Sequence, residues 1–285
     1  MLHGKVTVYA NRVFYWEWES VMGKSYLLKG DVARPGRIEV EKGTTLRQII
    51  DDLGGGMANG KAFKAMQIGG PSGGLITEDQ LDLPLDAKAL APYGCRRGDG
   101  VITVLDEDRC MVDVAYSFLR ATQADFCGKC ISCREGTKRM AELMGDLVEY
   151  KADDAATGML LELGEVVHMT AFCALGKGSA TTLETAATAF ADDFQNHIEG
   201  HCPLCEKETR LPIAPGDGVP YDKKQVRIDP EKCKGCSRCA RSCHAEAISG
   251  VLKSPFVINQ DKCVKCYTCI ELCAFGAIEE VTIDG

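Results

Sequence analysis

Residues 228–248 read IDPEKCKGCSRCARSCHAEAI, and residues 258–278 read INQDKCVKCYTCIELCAFGAI. The two segments align without a gap at an offset of thirty residues, and each contains the pattern C-x₂-C-x₂-C-x₃-C. Three thiolates spaced by two residues can bind three corners of one metal centre from a single loop. This spacing is typical of a bacterial pair of four-iron clusters. The repeat therefore predicts two [4Fe–4S] sites in a small C-terminal domain, residues 226–285.

The two halves of the repeat are expected to exchange their last cysteines, because the fourth cysteine of each run binds the other cluster in such pairs. The predicted ligand sets are Cys233, Cys236, Cys239 and Cys273 for one centre, and Cys263, Cys266, Cys269 and Cys243 for the other. A proline usually follows the last cysteine, but here the residues are His244 and Ala274. A pair of zinc sites is the alternative interpretation.

A third cysteine cluster lies in ADFCGKCISCREGT, residues 124–137, where Cys127, Cys130 and Cys133 fall close together. The next cysteine is Cys173, forty residues later, in TAFCALGKG. It leads into a glycine-containing turn between two predicted helices, where its thiol can point at a neighbouring loop. We predict that these four cysteines hold a third [4Fe–4S] cluster, with a Cys₄ zinc site as the rival interpretation.

Composition limits the class of protein. The chain has 285 residues, sixteen cysteines and a net charge of −8. The negative charge disfavours nucleic acid and anionic membranes as partners. No apolar run reaches the ~18 residues of a membrane span, and the first twenty residues make a poor signal peptide because charges interrupt them. We therefore expect a cytoplasmic chain, and disulfides are disfavoured there.

The region 23–106 is predicted to be a small α/β domain. KSYLLKG, RIEVE and KAFKAMQIGG have the patterns of strands, and TTLRQIIDDLGGG has that of a helix. Thr45 and Gln48 form a capping box and Gly54 supplies the stop. This strand–strand–helix–strand order resembles a ubiquitin-like β-grasp. The glycine clusters GGGMANG and GGPSGG match no phosphate-loop pattern and are predicted to be ordinary turns.

The remaining regions complete an α+β multidomain chain. Residues 1–22 form an aromatic-rich N-terminal arm. Residues 107–205 contain four helical segments, which predict a four-helix bundle around the third cysteine cluster. Residues 206–225 carry three prolines and form a semi-rigid linker to the C-terminal domain.

A family resemblance follows from these motifs. CGKCISCREGT (127–137) followed by FCALG (172–176) resembles the flavoprotein subunit of NADH dehydrogenase, complex I. It also resembles the equivalent subunit of cytosolic NAD-linked [FeFe]-hydrogenases and formate dehydrogenases. DEDRCMVDVAYSFL (106–119) resembles the segment that precedes this motif in the hydrogenase relatives. LKGDVARPGRIEVEKGTTLRQII (28–50) resembles their β-grasp domain of the soluble-ligand-binding type, and the C-terminal cysteine repeat is also their arrangement.

The sequence departs from that family at its N-terminal end. The family carries a domain there that binds FMN and NADH through a glycine-rich segment, whereas about 23 residues precede the predicted β-grasp domain here. We therefore expect neither FMN nor NAD on this chain. The resemblance implies that this chain corresponds to the part of such a subunit through which electrons leave.

Four cysteines remain after the twelve predicted cluster ligands: Cys95, Cys110, Cys202 and Cys205. NHIEGHCPLC (196–205) places two histidines beside a Cys-x₂-Cys pair, which is a zinc-like pattern. The hydrogenase relatives have a similar ending in which a structural zinc is implied. We predict zinc ligation by Cys110, His197, Cys202 and Cys205, with the choice between His197 and His201 open. The alternatives are a redox dithiol or two idle thiols, and Cys95 is predicted to be a lone loop thiol.

The sequence thus predicts an electron-transfer subunit of a cytosolic oxidoreductase complex, with three [4Fe–4S] clusters, one zinc and no catalytic site of its own. The resemblance implies three kinds of partner subunit: a flavin- or NAD-handling subunit, a thioredoxin-like [2Fe–2S] subunit, and a hydrogenase or formate dehydrogenase catalytic subunit. Soluble ferredoxin is a further candidate, and electron bifurcation follows if another chain holds a flavin. The alternatives are an NAD(P)H diaphorase that binds flavin itself and a ligand-sensing iron–sulfur module.

Overall fold

The computed structural model describes residues 24–205 and 224–282. The predicted N-terminal arm and most of the predicted linker lie outside these ranges. Within them the chain forms a mixed sheet, a helical region and a small domain that contains the cysteine repeat. No helix in the described ranges is long and apolar enough to span a membrane.

The first region is built on one five-stranded mixed sheet. Its strands are β1 (Lys24–Gly30), β2 (Gly36–Val40), β3 (Phe63–Ile68), β4 (Gly74–Ile76) and β5 (Val101–Asp106), in the spatial order β2-β1-β5-β3-β4. The central pair, β1 and β5, is parallel and the other neighbours are antiparallel. β5 is buried along its whole length, as expected for a central strand covered on both faces. The three predicted strands are confirmed as β1, β2 and β3.

The predicted helix of this region is present and begins as predicted. It comprises α1 (Leu46–Gln48) and a π-helical turn, Ile49–Leu53. The capping box is complete: Gln48 N donates to Thr45 Oγ1 at 3.3 Å, and Thr45 N donates to Gln48 Oε1 at 3.0 Å. A second helix, α2 (Ala87–Leu90), follows later in the region.

Glycines end this helix and form the turns. Gly54 keeps a right-handed conformation, and the left-handed residue that follows the helix is Gly55, with φ of +73°. In the second glycine cluster, Gly69 is left-handed, and a Cβ there would lie 2.4 Å from the carbonyl oxygen of Arg96. These glycines thus serve turns and close backbone contacts, as the sequence predicts.

Six helices form the second region. They are α3 (Met111–Ala124), α4 (Ile131–Val148), α5 (Ala156–Thr170), α6 (Ala174–Lys177), α7 (Thr181–Ala189) and α8 (Ala191–Ile198). The apolar faces expected from helical periodicity are buried in one core. These buried residues are Met111, Ala115, Phe118 and Leu119 on α3, and Met140, Leu143, Met144 and Leu147 on α4.

Residues 179–194, the last of the four helical segments predicted from the sequence, form parts of two helices rather than one. The chain breaks at Phe190, between α7 and α8. The break lets Asp193, in the first turn of α8, accept a hydrogen bond from Met111 N at 2.9 Å and pair with Lys64 Nζ at 2.8 Å. Because these contacts tie α8 to both α3 and the sheet, tertiary packing overrides the helical pattern of the sequence.

The sheet and the helices share one core. Ala65, Leu75 and Leu105 from the strands pack in the helical core cluster. Polar contacts reinforce the interface: Thr182 Oγ1 donates to Gly73 O at 2.6 Å, and the hydroxyl of Thr185 accepts from Leu75 N at 3.1 Å. The first two regions therefore pack against each other closely.

The third region repeats itself in structure as in sequence. It contains β6 (Lys224–Ile228), α9 (Arg238–Arg241), β7 (Ile248–Ser249), β8 (Val257–Ile258), α10 (Thr268–Leu272) and β9 (Ile278–Thr282). β6 pairs with β9 and β7 with β8, both antiparallel. β6 begins at Lys224, so the last two residues assigned to the linker belong to a strand.

The backbone conformation of this region follows the thirty-residue offset. Ser237 and Tyr267 precede the two short helices with left-handed φ values of 61° and 60°. Gly235 and Lys265 are also both left-handed, with φ of 63° and 46°. Side chains rarely adopt this conformation, so its recurrence shows that both cysteine loops follow the same path.

Candidate metal centres

The eight cysteines of the repeat line two separate cavities. The lining of one includes Cys243, Cys263, Cys266 and Cys269. The lining of the other includes Cys233, Cys236, Cys239 and Cys273. Each cavity therefore combines three cysteines of one run with the last cysteine of the other run, which is the exchange that the sequence spacing predicts.

Several thiols in these cavities are crowded and partly desolvated: burial raises the pKa of Cys239, Cys263 and Cys269. Burial raises the pKa of Cys269 to about 12, and repulsion from Cys266 and Cys263 adds to this shift. Backbone amides donate to the last cysteine of each run: Ala247 N to Cys243 Sγ at 3.3 Å, and Ala277 N to Cys273 Sγ at 3.4 Å. Crowded sulfur atoms suit a cationic centre that binds thiolates directly, and amide donors to sulfur suit iron–sulfur ligation.

The predicted ligands of the helical region also converge. Cys130 immediately precedes α4 and Cys173 immediately precedes α6, where its Sγ accepts from Gly176 N at 3.4 Å. A Cβ at Gly176 would lie 3.4 Å from Cys133 Sγ and 3.7 Å from Cys173 Sγ. Burial raises the pKa of Cys133 to about 12, with repulsion from Cys130 and Cys127 adding to the shift. The sulfur atoms of Cys133 and Cys173 thus lie beside a helix face that has no side chain, which leaves room for a cluster.

The sequence pattern predicted a turn at Cys173, but this residue caps a short helix, α6. Gly176 lies within that helix, and its lack of a side chain leaves room beside two sulfur atoms. Ala171 restricts the same space, because its Cβ would lie 2.9 Å from a Cβ at Gly176. The spacing of the cysteines did not indicate that residue 176 must lack a side chain.

The helical site and the repeat domain meet at Cys173 and Cys266. Cys266 Sγ donates to Thr268 Oγ1 at 3.4 Å, and interaction with Cys173 lowers the pKa of Cys266. Beside it, Ala174 N donates to Thr268 Oγ1 at 3.3 Å. Since Cys173 and Cys266 belong to different predicted ligand sets, two candidate metal centres adjoin at this contact.

Arg96 connects all three regions at the same place. Its side chain extends from the sheet region, and its Nη1 donates to Ala174 O at 2.8 Å. The same nitrogen lies 3.8 Å from Glu271 Oε1 on α10, and Nη2 donates to Ser72 Oγ. The Arg96 side chain is only 20% exposed, so its charge acts in a partly desolvated setting. Arg96 was not identified from the sequence, because its contacts join residues far apart in the chain.

The predicted zinc ligands form one compact cluster. The ligand atoms of Cys110, His197, Cys202 and Cys205 all lie within 4.8 Å of one another. Cys110 Sγ is 3.2 Å from His197 Nε2 and 3.9 Å from Cys202 Sγ, and Cys205 Sγ is 3.6 Å from His197 Nε2. Sulfur atoms around a tetrahedral zinc lie roughly 3.8 Å apart, given Zn–S bonds of ~2.3 Å. The four side chains therefore fit zinc.

Of the two histidines between which the sequence left the choice open, His197 lies in this cluster. His197 is buried, whereas His201 is exposed. His197 Nδ1 lies 2.9 Å from the carbonyl oxygen of Leu147, so donation through Nδ1 leaves Nε2 free to bind metal. Tyr150 stacks on the ring at 5.0 Å, and Cys205 Sγ donates to Asp113 Oδ2 at 3.6 Å. Leu147, Tyr150 and Asp113 were not anticipated, because the sequence carries no local signal for them.

Cys95 is a loop thiol, as predicted, but it is buried in the core of the sheet region. Its Sγ lies 3.7 Å from the carbonyl oxygen of Tyr93. Burial raises its pKa to about 12, which favours an inert neutral thiol.

Three protein families match the chain, each over one of its regions. Residues 113–197 match the NADH-ubiquinone oxidoreductase-F iron–sulfur binding region, which includes Cys127, Cys130, Cys133 and Cys173. Residues 28–76 match the SLBB domain. Residues 225–274 match the 4Fe–4S dicluster domain, which includes all eight cysteines of the repeat.

Similar proteins come from redox complexes. The NADP-reducing hydrogenase subunit HndC of Solidesulfovibrio fructosivorans is 38% identical over 233 residues, covering 81% of this chain and 45% of the relative. The F subunit of the NADH-quinone oxidoreductase of Streptomyces coelicolor is 34% identical, covering 63% of this chain and 40% of the relative. The chain therefore spans less than half the length of these two relatives.

A solved structure has a similar fold. A chain of an NAD⁺-reducing [NiFe]-hydrogenase in the H₂-reduced state superposes with a TM-score of 0.55 and 25% sequence identity. The superposition covers 62% of this chain and 30% of that chain.

Proposed function

We infer that this chain, a homologue of HndC and of the F subunits of NADH-quinone oxidoreductases, is an iron–sulfur electron-transfer subunit of a complex of that kind. Its iron–sulfur binding region and dicluster domain contain twelve cysteines in three groups of four. When bound, [4Fe–4S] clusters supply reversible one-electron transfer. The proposed function is a relay of single electrons between partners through three such clusters.

The hydroxyl of Thr268 carries this proposal, because it accepts hydrogen bonds both from Ala174 N, next to Cys173, and from Cys266 Sγ. It joins the ligand set of the helical region to that of the Cys263 run, and Thr268 and Arg96 hold the adjoining backbone of Ala174. The two sets of the repeat domain also adjoin, since Cys239 of one set packs in the same core cluster as Cys243, Cys263 and Cys269 of the other. The ligand sets thus form a continuous series, as a relay needs.

The ends of this series lie at the surface. Cys127 and Cys236 are the two exposed cysteines among the sixteen, all of which lie in the described ranges. Cys127 belongs to the helical set and Cys236 to the first set of the repeat. We propose that electrons enter and leave near these two residues.

Metal content and magnetic spectra of the full chain test the relay. Anaerobically purified protein should contain about twelve irons per chain and give a paramagnetic spectrum after reduction. Far fewer irons, or a reduced sample without such a spectrum, would show that the cysteines do not hold three [4Fe–4S] clusters.

The proposed partners follow from the relatives. They are a flavin- or NAD-handling subunit, a thioredoxin-like [2Fe–2S] subunit, a hydrogenase or formate dehydrogenase catalytic subunit, and soluble ferredoxin, all in the cytoplasm. The Solidesulfovibrio relative is a hydrogenase subunit by name, and the similar solved chain also belongs to a hydrogenase. The order of the five-stranded sheet, with its parallel central pair, supports a β-grasp domain as the part that packs against the helices.

We also propose a structural zinc held by Cys110, His197, Cys202 and Cys205. These residues join the start of α3 to the end of the helical region, so a metal would fasten the helices together. The native chain should then contain one zinc, and His197→Ala should lose it. The matched variant His201→Ala should keep it, because His201 is exposed. Equal zinc content in both variants would contradict the assignment.

A further inference from the structure

The two halves of the repeat domain use equivalent surfaces differently. At the thirty-residue offset, Cys266, Thr268 and Glu271 of the second half correspond to Cys236, Arg238 and Arg241 of the first half. In the second half, this surface is covered. Ala174 N donates to Thr268 Oγ1 at 3.3 Å, Cys266 Sγ donates to the same hydroxyl at 3.4 Å, and Glu271 lies 3.8 Å from Arg96. The second half therefore shows how another redox site docks on this face.

In the first half, the corresponding face is open. Cys236, Arg238 and Arg241 are all exposed, and together with Ala274 and Phe275 they line a shallow cavity. Phe275 is 45% exposed, so its ring contributes apolar surface to this face. Cys266 of the second half thus lies beside the helical site, whereas Cys236, its equivalent in the first half, faces solvent.

A neighbouring loop extends this face. Lys253 N donates to Gly235 O at 3.1 Å, so the loop between β7 and β8 lies against the loop that carries Cys236. Val251 and Leu252 in this loop are 73% and 65% exposed. The face thus has apolar side chains and nearby Lys and Arg side chains, a composition that suits a small, transient protein interface.

The charges identify the class of partner. Glu271 in the covered face lies beside a cation, Arg96, whereas the equivalent position in the open face is itself a cation, Arg241. Lys234 is also exposed in the open face. A partner with carboxylates around its redox centre would complement these cations, even though the whole chain has a net charge of −8.

We propose that the face formed by Cys236, Arg238, Arg241 and Phe275 is the docking site for an acidic one-electron carrier protein. This proposal rests on the relay function and names the partner at one of its ends. One electron would pass between the carrier and a [4Fe–4S] cluster held by Cys236 and the other cysteines of its set: the donor is oxidised by one electron, the acceptor is reduced by one, and no bond or proton is exchanged. Electrostatic steering should make the association fast and sensitive to salt.

The test uses the full chain with its clusters and a purified acidic 2[4Fe–4S] ferredoxin as the probe. The double variant Arg238→Glu/Arg241→Glu should weaken binding at least tenfold at low salt, mostly through a slower association rate. The control Lys138→Glu/Arg139→Glu makes the same change in charge on the exposed surface of α4 and should change binding less than twofold. Arg238→Lys/Arg241→Lys should restore binding to within a few fold.

Equal weakening by both double variants, or binding that does not depend on salt, would overturn the proposal. So would zero-length cross-links that join Lys234 or Lys253 to a permanent subunit in the intact complex, because another chain would then cover the face. Iron content and the reduced spectrum are measured on the same samples. A normal spectrum without carrier binding would refute the docking site alone, whereas missing iron would refute the relay.

Discussion

The repeat domain and the helical region gather four cysteines in different ways. In the repeat domain, both cavities are lined by two loops of the same shape, which exchange one cysteine each. In the helical region, the fourth cysteine is Cys173, which caps a short helix and lies beside Gly176. The first arrangement depends on local loop conformation, whereas the second depends on how separate helices pack.

This difference extends to the surroundings of the two sites. Ala174, the residue after Cys173, accepts a hydrogen bond from Arg96 of the sheet region and donates one to Thr268 of the repeat domain. The helical site therefore requires contacts from all three regions, whereas the cavities of the repeat domain are lined within that domain. Changes outside the ligands should accordingly affect the helical site more.

The largest expected effect comes from removing a fourth ligand in each region. Cys173→Ala should lower the iron content by about four per chain and leave the other two centres intact. Cys243→Ala should also remove about four irons, but from the centre of the Cys263 run. Iron analysis and reduced-state spectra would distinguish the two losses. Cys95→Ala is the control and should keep all the iron. Full iron content in Cys173→Ala would show that Cys173 is not a cluster ligand.

Filling the space beside Cys173 should have the next largest effect. Gly176→Ala places a Cβ 2.9 Å from the Cβ of Ala171 and 3.4 Å from Cys133 Sγ, so it should destabilise the site by about 1–3 kcal/mol. The rate of iron release to a chelator would measure this loss. Gly158→Ala is the matched control on α5, where a Cβ meets nothing within 4 Å. It should stabilise the helix by ~0.5–1 kcal/mol. Similar rates in both variants would contradict the account.

The contact between regions is tested at Arg96. Arg96→Gln removes a charged donor to Ala174 O, a hydrogen bond typically worth about 1.5–3 kcal/mol. Hydrogen exchange in α10 should become faster, since Arg96 also lies near Glu271. Arg97→Gln, at the exposed neighbouring position, is the control and should leave α10 unchanged. Unchanged exchange in both variants would mean that Arg96 does not hold the regions together.

The smallest effect concerns the helical scaffold away from the sulfur atoms. Burial raises the pKa of Glu184, so the folded chain binds this proton more tightly than the unfolded chain does. Stability should therefore fall as the pH rises from the unfolded pKa, ~4.3, through the folded pKa. Glu184→Gln should remove this fall and stabilise the chain at pH 7 by no more than about 1 kcal/mol. Denaturant unfolding at several pH values measures this change in the free energy of unfolding. Glu162→Gln, at an exposed position, is the control. The same pH dependence in both variants would contradict the expected effect of Glu184.

The sequence predicted what is local and repeated. The spacing of the cysteines and the thirty-residue offset were sufficient to group the eight cysteines that line the two cavities. The helix of the sheet region was predictable from Thr45 and Gln48, because a capping box is a short-range signal. The apolar faces of α3 and α4 followed from helical periodicity.

Features that depend on tertiary contacts were not predictable. The break at Phe190 follows from contacts of Asp193 with residues of other elements. The choice of His197 over His201 follows from burial beside Leu147. Arg96 gives no signal in the sequence, because its partners lie in other regions of the chain.

Magnetic interaction between the centres tests the central claim most directly, namely that the helical site adjoins the site of Cys266. The spectrum of the fully reduced native chain would be compared with that of Cys173→Ala. The spectrum of Cys173→Ala, added to the signal of one isolated [4Fe–4S] cluster, gives the spectrum expected without interaction. If the two sites adjoin, the native spectrum should contain additional features that this sum lacks. A native spectrum equal to that sum would contradict contact between the two sites.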